Sequence, residues 1–168
     1  LENALDGAHV VIHLAGILIE TKHSNYASAN IAATAAIVDA AKKSDVRSLI
    51  FISVVGASAE SKNAYFRSKG VAEELVLGSG LGARILRTPI LFGPQAAGSQ
   101  AIVGMISSGQ AKLLGGGHYH MRPLDIDDLS EAITILCSTT IQDQVTYELV
   151  GPESASYRDI IEMAAQVM

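Results

Sequence analysis

Residues 63–74 read Asn-Ala-Tyr-Phe-Arg-Ser-Lys-Gly-Val-Ala-Glu-Glu and set Tyr65 and Lys69 four positions apart. On a helix, side chains at that spacing stand one above the other on the same face. An ammonium over a phenol favours the phenolate, so the pair can give and take a proton at neutral pH. A Tyr-x-x-x-Lys spacing recurs by chance in many chains, and its setting carries the weight. The apolar run Leu49-Ile-Phe-Ile precedes it and closes on a hydroxyl, Ser53.

The other chemistry-bearing groupings are thinner. His118 and His120 lie two apart in a loop, but no cysteine or carboxylate completes a ligand set, so no metal is expected. Asp125, Asp127 and Asp128 precede an apolar periodic segment, where carboxylates cap a helix and meet the positive end of its dipole. Asp127 is the expected cap residue. Arg122 can clamp a phosphate or carboxylate, or pair with one of those three aspartates. Gly78-Ser-Gly80 has the wrong spacing for a nucleophile elbow. Cys137 is the sole cysteine; it excludes an internal disulfide, fits a reducing compartment and reads as core filler.

The elements that must position these groups follow from periodicity. Ala8–Ala15 is a continuous apolar run ending at Gly16, which predicts a strand buried on both faces. Residues 25–43 carry apolar positions at helical spacing, and Leu49–Val54 predicts a second buried strand. Asn63–Leu77 predicts a helix, with Gly78 and Gly80 suited to its end. Ala83–Leu86 predicts a third strand. This alternation implies a parallel sheet with helices on its faces. Beyond Pro89 come a loop, a helix over Gln100–Ser108, a turn at Leu113–Gly117 and an extended piece at Pro123–Ile126. A helix over Asp128–Ser138, a strand over Val145–Val150 and a last helix opened by Ser156 complete the series.

Hydrophobic residues make up 49% of the 168 and charged ones 17%, enough apolar surface for a real core. The longest apolar run is far short of the roughly 18 to 20 residues that span a bilayer. A net charge of −5 argues against nucleic-acid binding. No basic cluster opens the chain as in a signal peptide. The simplest location is cytoplasmic.

Taken together, Val10–Gly16, Asn30, Ile50–Ser53, Tyr65-x-x-x-Lys69, Glu73, Arg87–Pro94 and Arg122–Leu129 resemble the short-chain dehydrogenase/reductase superfamily in its extended and atypical branches, in the family's order. Tyr147–Pro152 and Tyr157-Arg-Asp look most like the epimerase/dehydratase-like branch that contains the NAD(P)-binding accessory subunit of respiratory complex I. The resemblance implies an α/β, Rossmann-like parallel sheet with helices on both faces and its N-terminal part missing. Residues 1–90 would be the later half of a dinucleotide-binding domain, and 91–168 a small substrate-capping region with a returning strand. By resemblance Tyr65 is the proton donor and acceptor, while Lys69 holds the nicotinamide ribose and lowers the phenol's pKa. Leu14, Ala15 and Gly16 lie beside that ribose, Asn30 steadies the middle of the sheet, and Pro89, Ile90 and Leu91 pack near the carboxamide. Arg122 contacts substrate.

Two departures bear on activity. The family's usual Ser or Thr just past the second strand is Val54 here; Ser53, one position early and the candidate catalytic and cofactor-contacting hydroxyl, or Ser58 could take its place if the loop bulges. A missing donor to a developing oxyanion costs a few kcal/mol of barrier. The seven residues before Ala8 read as the tail of a helix and no Gly-rich turn precedes it, so the chain reads as part of a larger domain, with weak binding of NAD or NADP. Its first strand would have an open edge that invites self-association. Two readings stay open: an NAD(P)-dependent oxidoreductase or epimerase/dehydratase-like enzyme, and a non-catalytic nucleotide-binding or assembly subunit.

Overall fold

A computed structural model describes residues 2–110, 113–139 and 143–168. The chain forms two compact units, 1–87 with 133–148, and 88–132 with 149–168. The first contains a four-stranded sheet in the order β1-β2-β3-β7, formed by Val10–His13, Ser48–Val54, Gly82–Thr88 and Val145–Glu148. β1 runs parallel to β2, pairing Val11 with Leu49 and His13 with Phe51, and β3 runs parallel to β7.

Strand periodicity sorts the side chains. Val11, Leu49, Phe51, Ala83 and Ile85 share a core with Val38, Ala41, Ala72 and Val76 of two helices. These are α1, whose α-helical part is Ala33–Lys42, and α2, Ala64–Leu77. Ile50 and Leu86 are equally buried on the opposite face. There Arg84, 1% exposed, donates to Ser48 and to the carbonyls of Leu136 and Thr139 at the end of α4, Ile126–Ser138. A buried guanidinium thereby satisfies carbonyls that a helix end leaves without partners.

Three expectations need correction. β1 is not covered on both faces: Val11 and His13 are buried, but Ile12 is 42% exposed. Continuous apolarity did not distinguish a one-sided strand from a two-sided one. The helix tail expected before Ala8 is a single 3₁₀ turn, Glu2–Ala4. Asp125, not Asp127, caps α4, its carboxylate accepting the Asp127 N–H at 2.8 Å, so the helix begins two residues early.

In the second unit β4, Leu91–Phe92, pairs in parallel with β6, Leu124–Asp125. β5, His120–Met121, pairs antiparallel with β8, Ala155–Ser156. α3, Ala97–Ser108, and α5, Tyr157–Val167, pack through Ile102, Ile160 and Ile161. Ser156 caps α5 by accepting the Asp159 N–H. Gly151 is required where it stands, because a Cβ would fall 1.8 Å from the Pro123 carbonyl oxygen.

Candidate functional site

Asn63 starts α2, its side-chain oxygen accepting the backbone N–H of Tyr65 at 2.9 Å and of Phe66 at 3.3 Å. That cap sets Tyr65 in the first turn, half-buried, and Lys69 one turn further in, 7% exposed. The Lys69 ammonium donates to the Ile52 carbonyl at 2.7 Å and lies 4.1 Å over the Phe51 ring. Burial pulls its pKa down from 10.5 to about 8, against the opposing pull of Glu73.

Tyr65 departs from expectation. Its pKa is raised, first by burial and then by Tyr26, whose ring centre lies 5.9 Å away. The ammonium expected to acidify it is directed to the strand carbonyl instead. The phenol therefore stays protonated at neutral pH and is poised to donate.

Gly16 lies beside the pair. A Cβ there would come within 3.1 Å of the Asn30 side-chain oxygen and 3.9 Å of the Lys69 nitrogen. Asn30 is 2% exposed and grips the next residue twice, accepting from Ile17 N–H at 2.8 Å and donating to its carbonyl at 3.2 Å. Its amide also donates to Ser68, whose hydroxyl donates to the Tyr65 carbonyl. Asn30 sits in a π-helical stretch, Ala27–Ala32, that leads into α1, where Ala33 N–H reaches back to the Ser28 carbonyl.

Behind this lies a buried histidine. The Thr34 hydroxyl donates to the Asn30 carbonyl at 2.6 Å, so its 2.9 Å contact with His13 Nε2 requires a proton on that nitrogen. His13 stacks on Phe51 at 5.3 Å, and burial, then Lys69, lowers its pKa. Sequence reasoning missed His13, Thr34, Ser68 and Tyr26. The available signal was a polar residue inside an otherwise apolar strand or at a core-facing helix position.

Ser53 is 4% exposed and shares a strand face with Phe51, while Val54 on the other face is half-buried. Leu14, Ala15 and Gly16 are exposed, Leu14 at 66%. Glu73, 4% exposed, receives a two-pronged ion pair from Arg87 at 2.7 and 3.0 Å, tying α2 to β3.

Pro89, Ile90, Leu91 and Arg122 belong to the second unit. The Ile90 carbonyl accepts from Leu124 N–H, and Leu91 pairs in register with Leu124. Arg122 donates to the Pro152 carbonyl at 2.9 Å, a tie to the backbone. A cavity of about 500 Å³ in this unit is lined by Phe92, Ile102, Val103, Ile160 and Met163, with Glu153 the one charged side chain among the described residues that line it. Among the described residues no group of three or more His, Cys, Asp or Glu could hold a metal, and no helix is long and apolar enough to cross a membrane.

The family description "3-beta hydroxysteroid dehydrogenase/isomerase family" matches residues 1–63. Over 160 residues the chain is 30% identical to NADH dehydrogenase [ubiquinone] 1 alpha subcomplex subunit 9, mitochondrial, of Arabidopsis thaliana, covering 93% of this chain and 40% of the relative. It is 23% identical to the ceramide reductase of Caulobacter vibrioides, covering all of this chain and 53% of that one. Among solved structures, MoeE5 with UDP-glucuronic acid and NAD superposes with a TM-score of 0.87 at 19% identity, over 99% of this chain and 64% of that one. UDP-glucuronic acid 4-epimerase from Bacillus cereus with NAD gives 0.84 at 22%, over 99% and 62%. These likenesses agree with the resemblance to the short-chain dehydrogenase/reductase superfamily drawn from the sequence. The chain's parallel, helix-flanked sheet is the Rossmann-like fold of the superfamily's epimerases. The chain spans about half the length of the curated relatives it matches.

Proposed function

We propose that this polypeptide is the proton-transfer part of an NAD(P)-dependent oxidoreductase of the epimerase/dehydratase-like type. The observation that carries the reading is the gathering of Gly16, Lys69 and a protonated Tyr65 at one corner of the sheet. The bare backbone at Gly16, with a buried ammonium 3.9 Å from where a Cβ would stand, suits close approach of a ribose. A bound nicotinamide dinucleotide would supply the hydride. Tyr65 then gives its phenolic proton to the substrate oxygen and recovers it from solvent, while Lys69 steadies the sugar hydroxyls. The named structural neighbours hold NAD, which supports the choice of cofactor.

The second reading is a nucleotide-binding assembly subunit without turnover. It is favoured by Val54 in the usual hydroxyl position, by the burial of Ser53, and by relatives named as complex I subunits. A cytoplasmic location is part of the first reading, and the single cysteine, which fits a reducing compartment, supports it. Two relatives carry mitochondrial in their names, so fractionation decides it.

The deciding experiment titrates the intact protein and Tyr65→Phe with NADH and NADPH, then measures turnover. Unchanged cofactor affinity with turnover reduced at least about a hundredfold supports the enzyme. Equal binding by both forms with no turnover by either supports the assembly subunit.

A further inference from the structure

Lys69 is a buried cation whose nearest acid along the helix is already taken. Glu73, one turn further on, gives both its oxygens to Arg87 at 2.7 and 3.0 Å. Among the described residues the ammonium meets two other things, the Ile52 carbonyl and the face of Phe51. A ring face attracts a cation through its quadrupole and offers no directional lone pair. A carboxylate in that place would draw the remaining N–H groups of the ammonium to itself. The ring supports the charge and leaves those donors for another acceptor.

Phe51 is itself held. It is 1% exposed on β2, and His13, its register partner on β1, stacks on it. The His13 ring is fixed in turn by its Nε2–H on Thr34, and burial and the ammonium both disfavour a charge on it. The other titratable groups about Lys69 are Tyr65, with Tyr26 beyond it, and the Glu73–Arg87 pair. β2 brings none, and Asp39 and Lys42 of α1 are exposed.

We infer that Phe51 is a positioning residue: its ring face, braced by His13, holds the Lys69 ammonium charged beside Gly16, where a salt bridge would have locked it away from the ribose. This deepens the cofactor-site reading above and rests on it for the identity of that ribose. The buried lysine keeps a full charge and still has N–H groups to give to neutral hydroxyls.

The test places mono-, di- and trifluorinated phenylalanine at position 51 of the intact protein. Fluorine drains charge from the ring face and scarcely alters its size, so packing is kept while the attraction weakens. The ε-carbon NMR signal of Lys69, assigned by its loss in Lys69→Arg, is titrated in each form. NADH and NADPH affinities are measured near pH 6 and near pH 8. Expected is a titration midpoint that falls with each fluorine, by roughly one pH unit over the series, a tenfold loss of proton affinity. NADH affinity should fall about fivefold near pH 8 and agree among all forms near pH 6, where every lysine is charged. A midpoint that ignores fluorination overturns the inference, since a ring that only packs would leave it in place. Affinity lost equally at both pH values also overturns it, because the ring would then not act through the charge. A midpoint that falls in step while no form binds NADH or NADPH keeps the hold on Lys69 and fails the cofactor reading instead.

Discussion

At the scale of single residues, Tyr65 and Lys69 divide their duties differently from a simple phenol–ammonium couple. The Lys69 nitrogen faces the Ile52 carbonyl and the Phe51 ring, and Tyr65 is made less acidic by burial and by Tyr26. The group that changes charge first above neutrality is therefore the lysine, near pH 8. For reduction, kcat/KM should hold level below that pH and then fall by about tenfold per pH unit as the ammonium is lost. Lys69→Arg, which stays charged, should move that limb upward. A pH–rate profile of the two forms checks this: a limb near pH 10 that both share would instead place control with Tyr65.

At the scale of elements, α2 matters because of how closely it lies on the loop that follows β2. A Cβ at Gly70 would stand 2.2 Å from the Ala59 nitrogen and from the Ser58 carbonyl carbon, backbone atoms that cannot swing aside. Alanine improves helix propensity by about 1 kcal/mol, but forcing the helix off this loop costs about 1–3 kcal/mol. Gly70→Ala should thus lower the denaturation midpoint and, by moving Lys69, raise the cofactor KM. A variant as stable as its parent would contradict the close approach. β2, β3 and α2 were legible in the sequence because period and caps agree, with Asn63 at the helix start and β-branched or aliphatic runs in the strands. β4, β5 and β8 are two residues each, too short for any period to register. The π-helical stretch around Asn30 leaves no compositional trace, since a one-residue change of hydrogen-bond register alters no residue type. The chain from His13 through Thr34 and Asn30 to Ser68 joins positions 21 and 38 residues apart, which only the folded topology brings together.

At the scale of the whole molecule, the shifted groups of both units combine into one dependence of stability on pH. His13 and Lys69 have lowered values, so between the folded and ordinary pKa the unfolded chain holds more protons, and stability rises with pH. The His13 contribution is complete above its ordinary 6.5, and that of Lys69 accrues from about 8 to 10.5. Asp159, held down by the Ser156 hydrogen bond, acts in the same sense at the acid end, losing its contribution as pH falls through its lowered value. Tyr65 and Tyr157 are raised by burial, so above 10 the unfolded chain releases protons first and stability falls. The melting temperature should climb from acid through neutral pH, peak near pH 10, and decline beyond it, rather than peak in the common range of about 5 to 8. The net charge of −5 opposes the climb only weakly, because charges dispersed over a surface are screened by salt. The decisive variant is Lys69→Met. It removes the buried ammonium, whose fall from 10.5 to about 8 corresponds to on the order of 3 kcal/mol, and it also removes the Ile52 hydrogen bond and the Phe51 contact, losses that count against the variant. Relative to the parent, Lys69→Met should therefore fare best at pH 7 and lose ground steadily as pH rises from about 8 to 10.5. Parallel melting curves across that window would mean the lysine titrates at its ordinary value and is not desolvated by the fold.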